Sequence, residues 1–236
     1  MADMSSIERV KTTLSLREPD RVPIFDFNYS RPLYQEVLGR VPEYFNGRDI
    51  MACAAKIGYD LSVIPFGGMG GFNMGVEGRD MYKDEWGTTW ERRKDSWPMD
   101  APVDYPLKER TDLKNYTWPD PKLPGRLKEV EDGLKIALEH RMAVVGSVRG
   151  PFSSTWMLIG IDNLMIKFYD DPDFIDEVLK HCTDFFIEGG KRMAEAGVTA
   201  ILFADDYGSN TAPLISPEHL DRKSTRLNSS HRIRPR

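Results

Sequence analysis

The chain has 236 residues, 40% hydrophobic and 29% charged, with a formal net charge of −5 at pH 7; this fits an ordinary globular protein and excludes collagen-like and disordered classes. It has no run of about eighteen apolar residues, which excludes a transmembrane helix, its mean hydropathy is −0.47, and its acidity argues against nucleic acid as the main partner. Cys53 and Cys182 are the only cysteines, so neither a disulfide framework nor a zinc ribbon is available, and a start without basic and apolar signal regions gives the expectation of a cytoplasmic protein.

Residues 5–16 place Ile7, Val10 and Leu14 at helical spacing behind serine caps, with Glu8 at the capping-box position from Ser5. Pro19 breaks that helix, and 22–27, β-branched and aromatic, reads as a first strand. Helical patterns follow at 32–38 and 50–57, and 61–64 reads as a second strand running into the Gly-rich segment Phe66–Gly71. The stretch 84–91 alternates around Gly87 like a hairpin. Prolines at 98, 102, 106, 119, 121 and 124 keep 95–125 irregular, so about 66–124 reads as an insertion. Residues 125–140 form an amphipathic helix, and 143–148 a third strand running into Arg149-Gly-Pro-Phe152. Helices over 155–169 and 173–196 follow, the second closing on Gly197, and 199–203 is a fourth strand ending at Ala204-Asp-Asp-Tyr-Gly208.

Strands alternating with helices predict βαβ units and a parallel sheet. A doubly wound sheet wants a Gly-rich phosphate turn after its first strand, which 27–31 does not supply. Strand ends at Asp26, Pro65, Arg149 and Asp205, mostly polar, match instead a (β/α)8 TIM barrel, whose catalytic groups follow its strand ends. The expectation is a barrel truncated after about its fourth strand, with 1–220 as its amino-terminal portion. Residues 221–231 read as the translation of a common sequencing adapter, so 221–236 is expected to be non-native. That tail holds one acid and six bases, and no nucleic-acid or membrane function is drawn from it. A partial barrel with open edges is expected to be poorly soluble and inactive alone.

Asp205 and Asp206, directly after the fourth strand, are catalytic candidates, the alternative being that one caps the following turn. Strand alternation sends one inward and the other outward. Asp26, as a catalytic group, and Asn28, as a substrate ligand, flank the end of the first strand, with turn chemistry as the alternative. Arg149 suits an anionic substrate group or an internal ion pair with Asp205 or Asp26. Phe152, Trp156 and Tyr207 are candidate pocket walls, against core packing. The segment Phe66–Gly71 lacks the phosphate-loop pattern and reads as a mobile active-site loop. His181 and Cys182, adjacent on a helix, point about 100° apart and do not suit one ion. His140, His219 and Cys53 read as structural or exposed, so no metal ligand is placed in this stretch.

Arg9-Val-Lys with Glu18-Pro-Asp-Arg-Val-Pro-Ile24, then Asp84-Glu-Trp-Gly-Thr88, Gly150-Pro-Phe152, and Ala204-Asp-Asp-Tyr-Gly208 with Ile215-Ser-Pro-Glu218 together resemble the uroporphyrinogen decarboxylase superfamily over residues 5–220. The resemblance implies a (β/α)8 barrel, and that superfamily holds corrinoid-dependent methyltransferases as well as the decarboxylase. The decarboxylase carries an M-R-Q-A-G-R segment after its first strand, because a polycarboxylate tetrapyrrole needs fixed guanidinium partners. Here that stretch is Phe27-Asn-Tyr-Ser-Arg-Pro32, with Arg31 alone. The decarboxylase's catalytic Asp falls near Pro65, its Tyr on Trp156 and its Ser on Asp205, where a carboxylate would repel those of a substrate. The resemblance thus implies methyl transfer between a corrinoid on a partner protein and a thiol or related acceptor. Zinc, held by an H-x-C pair and a later Cys beyond Leu220, would lower the thiol pKa. Some of these enzymes recruit a Glu from the region of Glu77 and Glu85, the alternative being that both lie on a solvated surface. The alternatives are cofactor-free decarboxylation of a tetrapyrrole or other polycarboxylate, and a non-catalytic docking module for a corrinoid protein.

Overall fold

The structure, a computed structural model, describes residues 3–68, 70–71, 80–93 and 97–217; Glu77, His219 and the tail 221–236 lie outside them. Helix α1 (Ser6–Leu14) starts where the expected capping box closes. The Glu8 N–H donates to Ser5 Oγ at 3.3 Å and the Ser5 N–H to the Glu8 carboxylate at 2.8 Å. Next, 22–27 departs from the full strand expected of it and makes one parallel bridge, Phe25 to Leu61. Pro23 has no N–H to offer a ladder. The Ile24 N–H goes to the Asp60 carboxylate and the Phe27 N–H to its neighbour Asp26, so the donors are taken before pairing can propagate.

Helices α2 (Arg31–Leu38) and α3 (Gly47–Ile57) begin at the caps Ser30 and Asn46 and lead to strand β1 (Leu61–Pro65). The insertion holds an antiparallel sheet of β2 (Met81–Lys83), β3 (Thr89–Glu91) and β4 (Ala101–Asp104), in that order. The expected hairpin turns at Gly87, whose φ is +82°. Helix α4 (Lys128–Glu139) and strand β5 (Ala143–Arg149) follow. In place of one helix over 155–169 there are two: α5 (Pro151–Ile159) starts at once, and Gly160, with φ +87°, turns the chain into α6 (Ile161–Asp170). Helix α7 (Pro172–Ala196) closes on Gly197 as expected, before β6 (Ala200–Ala204).

Strands β1, β5 and β6 are parallel neighbours, registered Val63 to Val145 and Val145 to Ala200. With the Phe25 bridge outside β1, the parallel segments lie side by side in chain order without reversal. That is the winding of a barrel and lacks the switch point of a doubly wound sheet, so the described residues form a partial barrel-like α/β unit. Helices cover one face. Phe66 meets Phe185 of α7 with centroids 5.8 Å apart, and Gly146 of β5 faces Met193 of α7. Even-numbered residues of β1 and β5 therefore point at the helices and odd-numbered ones at the barrel interior. A Cβ on Gly47 would stand 1.9 Å from the Glu129 carbonyl oxygen, and one on Gly133 2.2 Å from Ile64; glycine at both positions sets how close α3, α4 and β1 lie.

The foot of the sheet is clasped by charge. Asp60, fully buried, accepts from Arg9, from both arms of Arg21, from Ser6 and from the Ile24 N–H. Arg9 also grips Asp20 through Nε at 2.6 Å and Nη2 at 2.7 Å. The Arg9 and Glu18-Pro-Asp-Arg motifs thus tie α1 and the first segment to the start of β1. Among the described residues no helix is long and apolar enough to cross a membrane.

Candidate active site

The Gly150-Pro-Phe and Ala204-Asp-Asp-Tyr motifs form one device at the carboxyl ends of β5 and β6. Pro151 opens α5 without an N–H, leaving those of Phe152 and Ser153 to be satisfied. Asp205 reaches across from β6 and accepts both, through Oδ2 at 3.1 Å and Oδ1 at 2.7 Å. A Cβ on Gly150 would stand 2.2 Å from the Asp205 side chain, so glycine is what lets this cap approach. The Asp206 N–H donates to Ser153 Oγ at 3.2 Å, and the Asp206 side chain is exposed. The two aspartates, both past the end of β6, differ: Asp205 is engaged with a helix and the Asp206 side chain is open. Tyr207 stacks on the buried Phe152 ring with centroids 5.5 Å apart, and burial, with the Asp205 carboxylate beside it, pushes its hydroxyl well above the usual phenol range. Trp156, one turn along α5, is half-buried against the core.

The register decides what faces the interior. Phe25 pairs with Leu61, and Leu61 with Ala143, so Phe25 lies on the interior face with Val63, Val145, Ser147 and Arg149; Phe27 and Tyr29 follow it, and the Tyr29 N–H turns back on the Phe27 carbonyl at 2.9 Å, which ends the strand-like run. Their rings form a ladder, with 5.2 Å between Phe25 and Phe27 and again between Phe27 and Tyr29. Asn28 turns toward α3. It is buried, with Nδ2 on the Ile50 carbonyl of α3 at 3.3 Å and on Ser62 Oγ at 3.4 Å, while its Oδ1 has no hydrogen-bond partner among the described residues. Asp26 is exposed and accepts its neighbour's N–H at 2.7 Å.

Arg149 is 7% exposed, and its Nη2 donates to the Gly70 carbonyl at 2.6 Å. Burial pulls its pKa down, and the charge of Asp84 is the first to oppose this, with Asp205 adding to it. Neither Asp205 nor Asp26 forms a direct ion pair with it among the described residues. Asp84 is itself held by Trp90 Nε1 at 2.8 Å and by the Trp86 and Thr88 N–H groups at 3.0 Å, and burial pushes its carboxyl above the usual range. Partial burial pushes the Tyr29 hydroxyl up to about 12, against the pull of Arg149, so it stands protonated at neutral pH. The Gly-rich segment is tied down at its described residues: Gly67 and Gly68 accept from Arg126 and Trp86, and Gly71 from the Asp100 N–H.

Glu85 is clamped by Arg126 through two hydrogen bonds of 2.6 and 2.7 Å, with the guanidinium 4.9 Å over the Phe185 ring. His181 stacks on Trp118 at 4.2 Å. Both cysteines are buried, which pushes the Cys53 thiol up to about 11 and the Cys182 thiol up to about 12. Among the described residues no three His, Cys, Asp or Glu side chains gather as a metal-binding group.

No curated protein matches the chain in sequence. Its fold is similar to that of a methyltransferase from Methanosarcina mazei, with a TM-score of 0.68 and 21% identity, over 96% of this chain and 66% of that one. The chain thus spans slightly less than two thirds of that protein. A family model described as uroporphyrinogen decarboxylase (URO-D) matches residues 96–229, more than half of the chain and the part that carries the α5 cap, Arg149 and the β6 end. With the parallel winding and the strand-end motifs in place, the chain belongs to the uroporphyrinogen decarboxylase family.

Proposed function

We propose that this chain belongs to a methyl-transferring enzyme of the family, one that moves a methyl group between a corrinoid on a partner protein and a thiol or related acceptor. The observation that carries the reading is the charge at the strand ends. Arg149 lies within the fields of Asp84 and Asp205, Asp206 stands open beside them, and Arg126 is committed to Glu85. A polycarboxylate needs several free guanidinium groups, and these carboxylates would repel it in a site of low dielectric. Methyl transfer to a thiol makes no such demand, and the likeness in fold to a methyltransferase supports the same choice.

In this reading Asp206 and Asp26 are the carboxylates open to substrate, and Asp205 is a positioning residue that fixes the first turn of α5. Phe152, Trp156 and Tyr207 wall the site, and Asn28 holds the first segment to α3. Zinc, when bound, would lower the pKa of the acceptor thiol. The described residues hold no ligand set for it, its ligands are proposed to lie beyond Leu220, and no step here is routed through it.

Reading the coding sequence past Leu220 from freshly amplified template tests the proposal. The expected result is H-x-C and a later Cys, followed by zinc in the purified full protein and protein-dependent loss of methyl from methylcobalamin when a thiol is added. Several arginines without H-x-C would overturn it and put decarboxylation first.

A further inference from the structure

We propose that Asp84 holds the Arg149 guanidinium in place through a single water molecule, seated in the small cavity that the two side chains share. The inference goes beyond the reaction proposed above and holds whichever chemistry the strand ends perform. A cavity of about 10 Å³ lies where the insertion meets β5 and α5, lined by Asp84, Trp86 and Trp90 of the insertion, by Arg149 and by Ser154. That is about the room one water needs, provided it finds two to four polar partners.

The partners can be counted. Arg149, 7% exposed, spends Nη2 on the Gly70 carbonyl at 2.6 Å, and among the described residues its Nε and Nη1 make no hydrogen bond. Asp84 lies against the same glycine: a Cβ on Gly70 would stand 2.1 Å from Asp84 Oδ2. A carboxylate has about four acceptor sites, half of them on each oxygen. Oδ1 takes the Trp86 and Thr88 N–H groups, each at 3.0 Å, whereas Oδ2 takes only Trp90 Nε1, at 2.8 Å. The open site is thus on the oxygen beside Gly70, next to the group that anchors Arg149. Ser154 Oγ donates to the Gly150 carbonyl at 2.8 Å and keeps its own lone pairs. A water that accepts from Nε or Nη1 of Arg149 and donates to Asp84 Oδ2 and Ser154 Oγ has every proton placed. An anion there would be repelled by Asp84 and a cation by Arg149, so the charges select a neutral dipole. Burial lowers the Arg149 pKa to about 10, which leaves it charged and a donor only at neutral pH. Asp84 is in this way a positioning residue: it fixes the plane of the Arg149 fork and ties the insertion to the end of β5.

Two measurements on the 236-residue chain test the bridge. A crystal structure is expected to show one ordered water within hydrogen-bond distance of both Arg149 and Asp84 Oδ2. Direct contact between the two side chains, or no water between them, would overturn the proposal. In protein carrying isotope-labelled arginine, the Arg149 guanidinium protons are expected to give a dipolar NMR cross-peak to water. Asp84→Asn, close in shape but without the charge, is expected to lose that cross-peak and to speed exchange of the Arg149 Nε proton with solvent about tenfold, as befits loss of a charge-assisted hydrogen bond. If Asp84 only braces its own turn, the asparagine variant loses stability while the Arg149 cross-peak and exchange rate stay as in the parent, and the proposal fails. Should Asp84→Asn not fold, the crystal structure of the parent decides alone.

Discussion

Asp205 accepts the Phe152 and Ser153 N–H groups because Pro151, at the first position of α5, has none to give and the next two donors need an acceptor. Replacing it by alanine leaves both donors without that partner. Asp205→Ala is therefore expected to lower stability by about 1–2 kcal/mol, the range for loss of a helix cap, read as a lower urea midpoint at unchanged slope. Asp205→Asn, which keeps one acceptor oxygen, should recover part of the loss. An alanine variant as stable as the parent would show that the carboxylate is not a cap. The motifs around this device were legible in the sequence, but their partnership was not, because Gly150 and Asp205 meet only through the pairing of β5 with β6.

At the scale of elements, helical periods placed α1, α3, α4 and α7 to within about three residues at each end, since each buries an apolar stripe. The strand expected at 22–27 failed where Pro23 and local side-chain acceptors removed its donors. The break at Gly160 was hidden because Ile159 and Ile161 keep the apolar pattern running across it. What no periodicity reveals is the distance between elements. Helices α3 and α4 touch where Gly47 meets Glu129 and Gly133 meets Ile64 and the Gly47 carbonyl. Gly133→Val would force a branched side chain into that contact. It is expected to cost about 1–3 kcal/mol, as overpacking does, although valine's helix propensity alone exceeds that of glycine. Thermal unfolding decides between the two effects: a Tm at or above the parent's would mean that α3 and α4 can separate freely.

Over the whole molecule, charge and apolar surface are distributed by end and by edge. The foot of the sheet is closed by Asp60, Arg9, Arg21 and Asp20, the opposite end carries the site, and the lateral edges show apolar side chains such as Val22 at 80% and Phe203 at 61% exposed. The parallel order was legible from the alternation of strands and helices. The clasp was not, because its residues come together only when α1, the 18–24 segment and β1 meet. Its pH dependence follows from the carboxylates. Burial alone would raise the Asp60 pKa, but the Ile24 N–H, Arg21, Ser6 and Arg9 outweigh burial and hold it below the usual range; Arg9 holds Asp20 well below it. A carboxyl whose folded pKa is depressed contributes stability that is full above its unfolded value of about 4 and fades as pH falls through the folded one. The clasp should thus be intact at pH 7 and weaken below about pH 4. Asp60→Asn leaves Arg9 without one of its two carboxylates and Arg21 without its own, an expected loss of about 3 kcal/mol at pH 7. The gap between variant and parent should narrow on going to pH 3, because acid removes from the parent what the substitution has already removed. Urea unfolding of both proteins at the two pH values measures this directly. An equal gap at both would place the acid sensitivity elsewhere, in Asp20 or in the i,i+4 pairs of the surface helices.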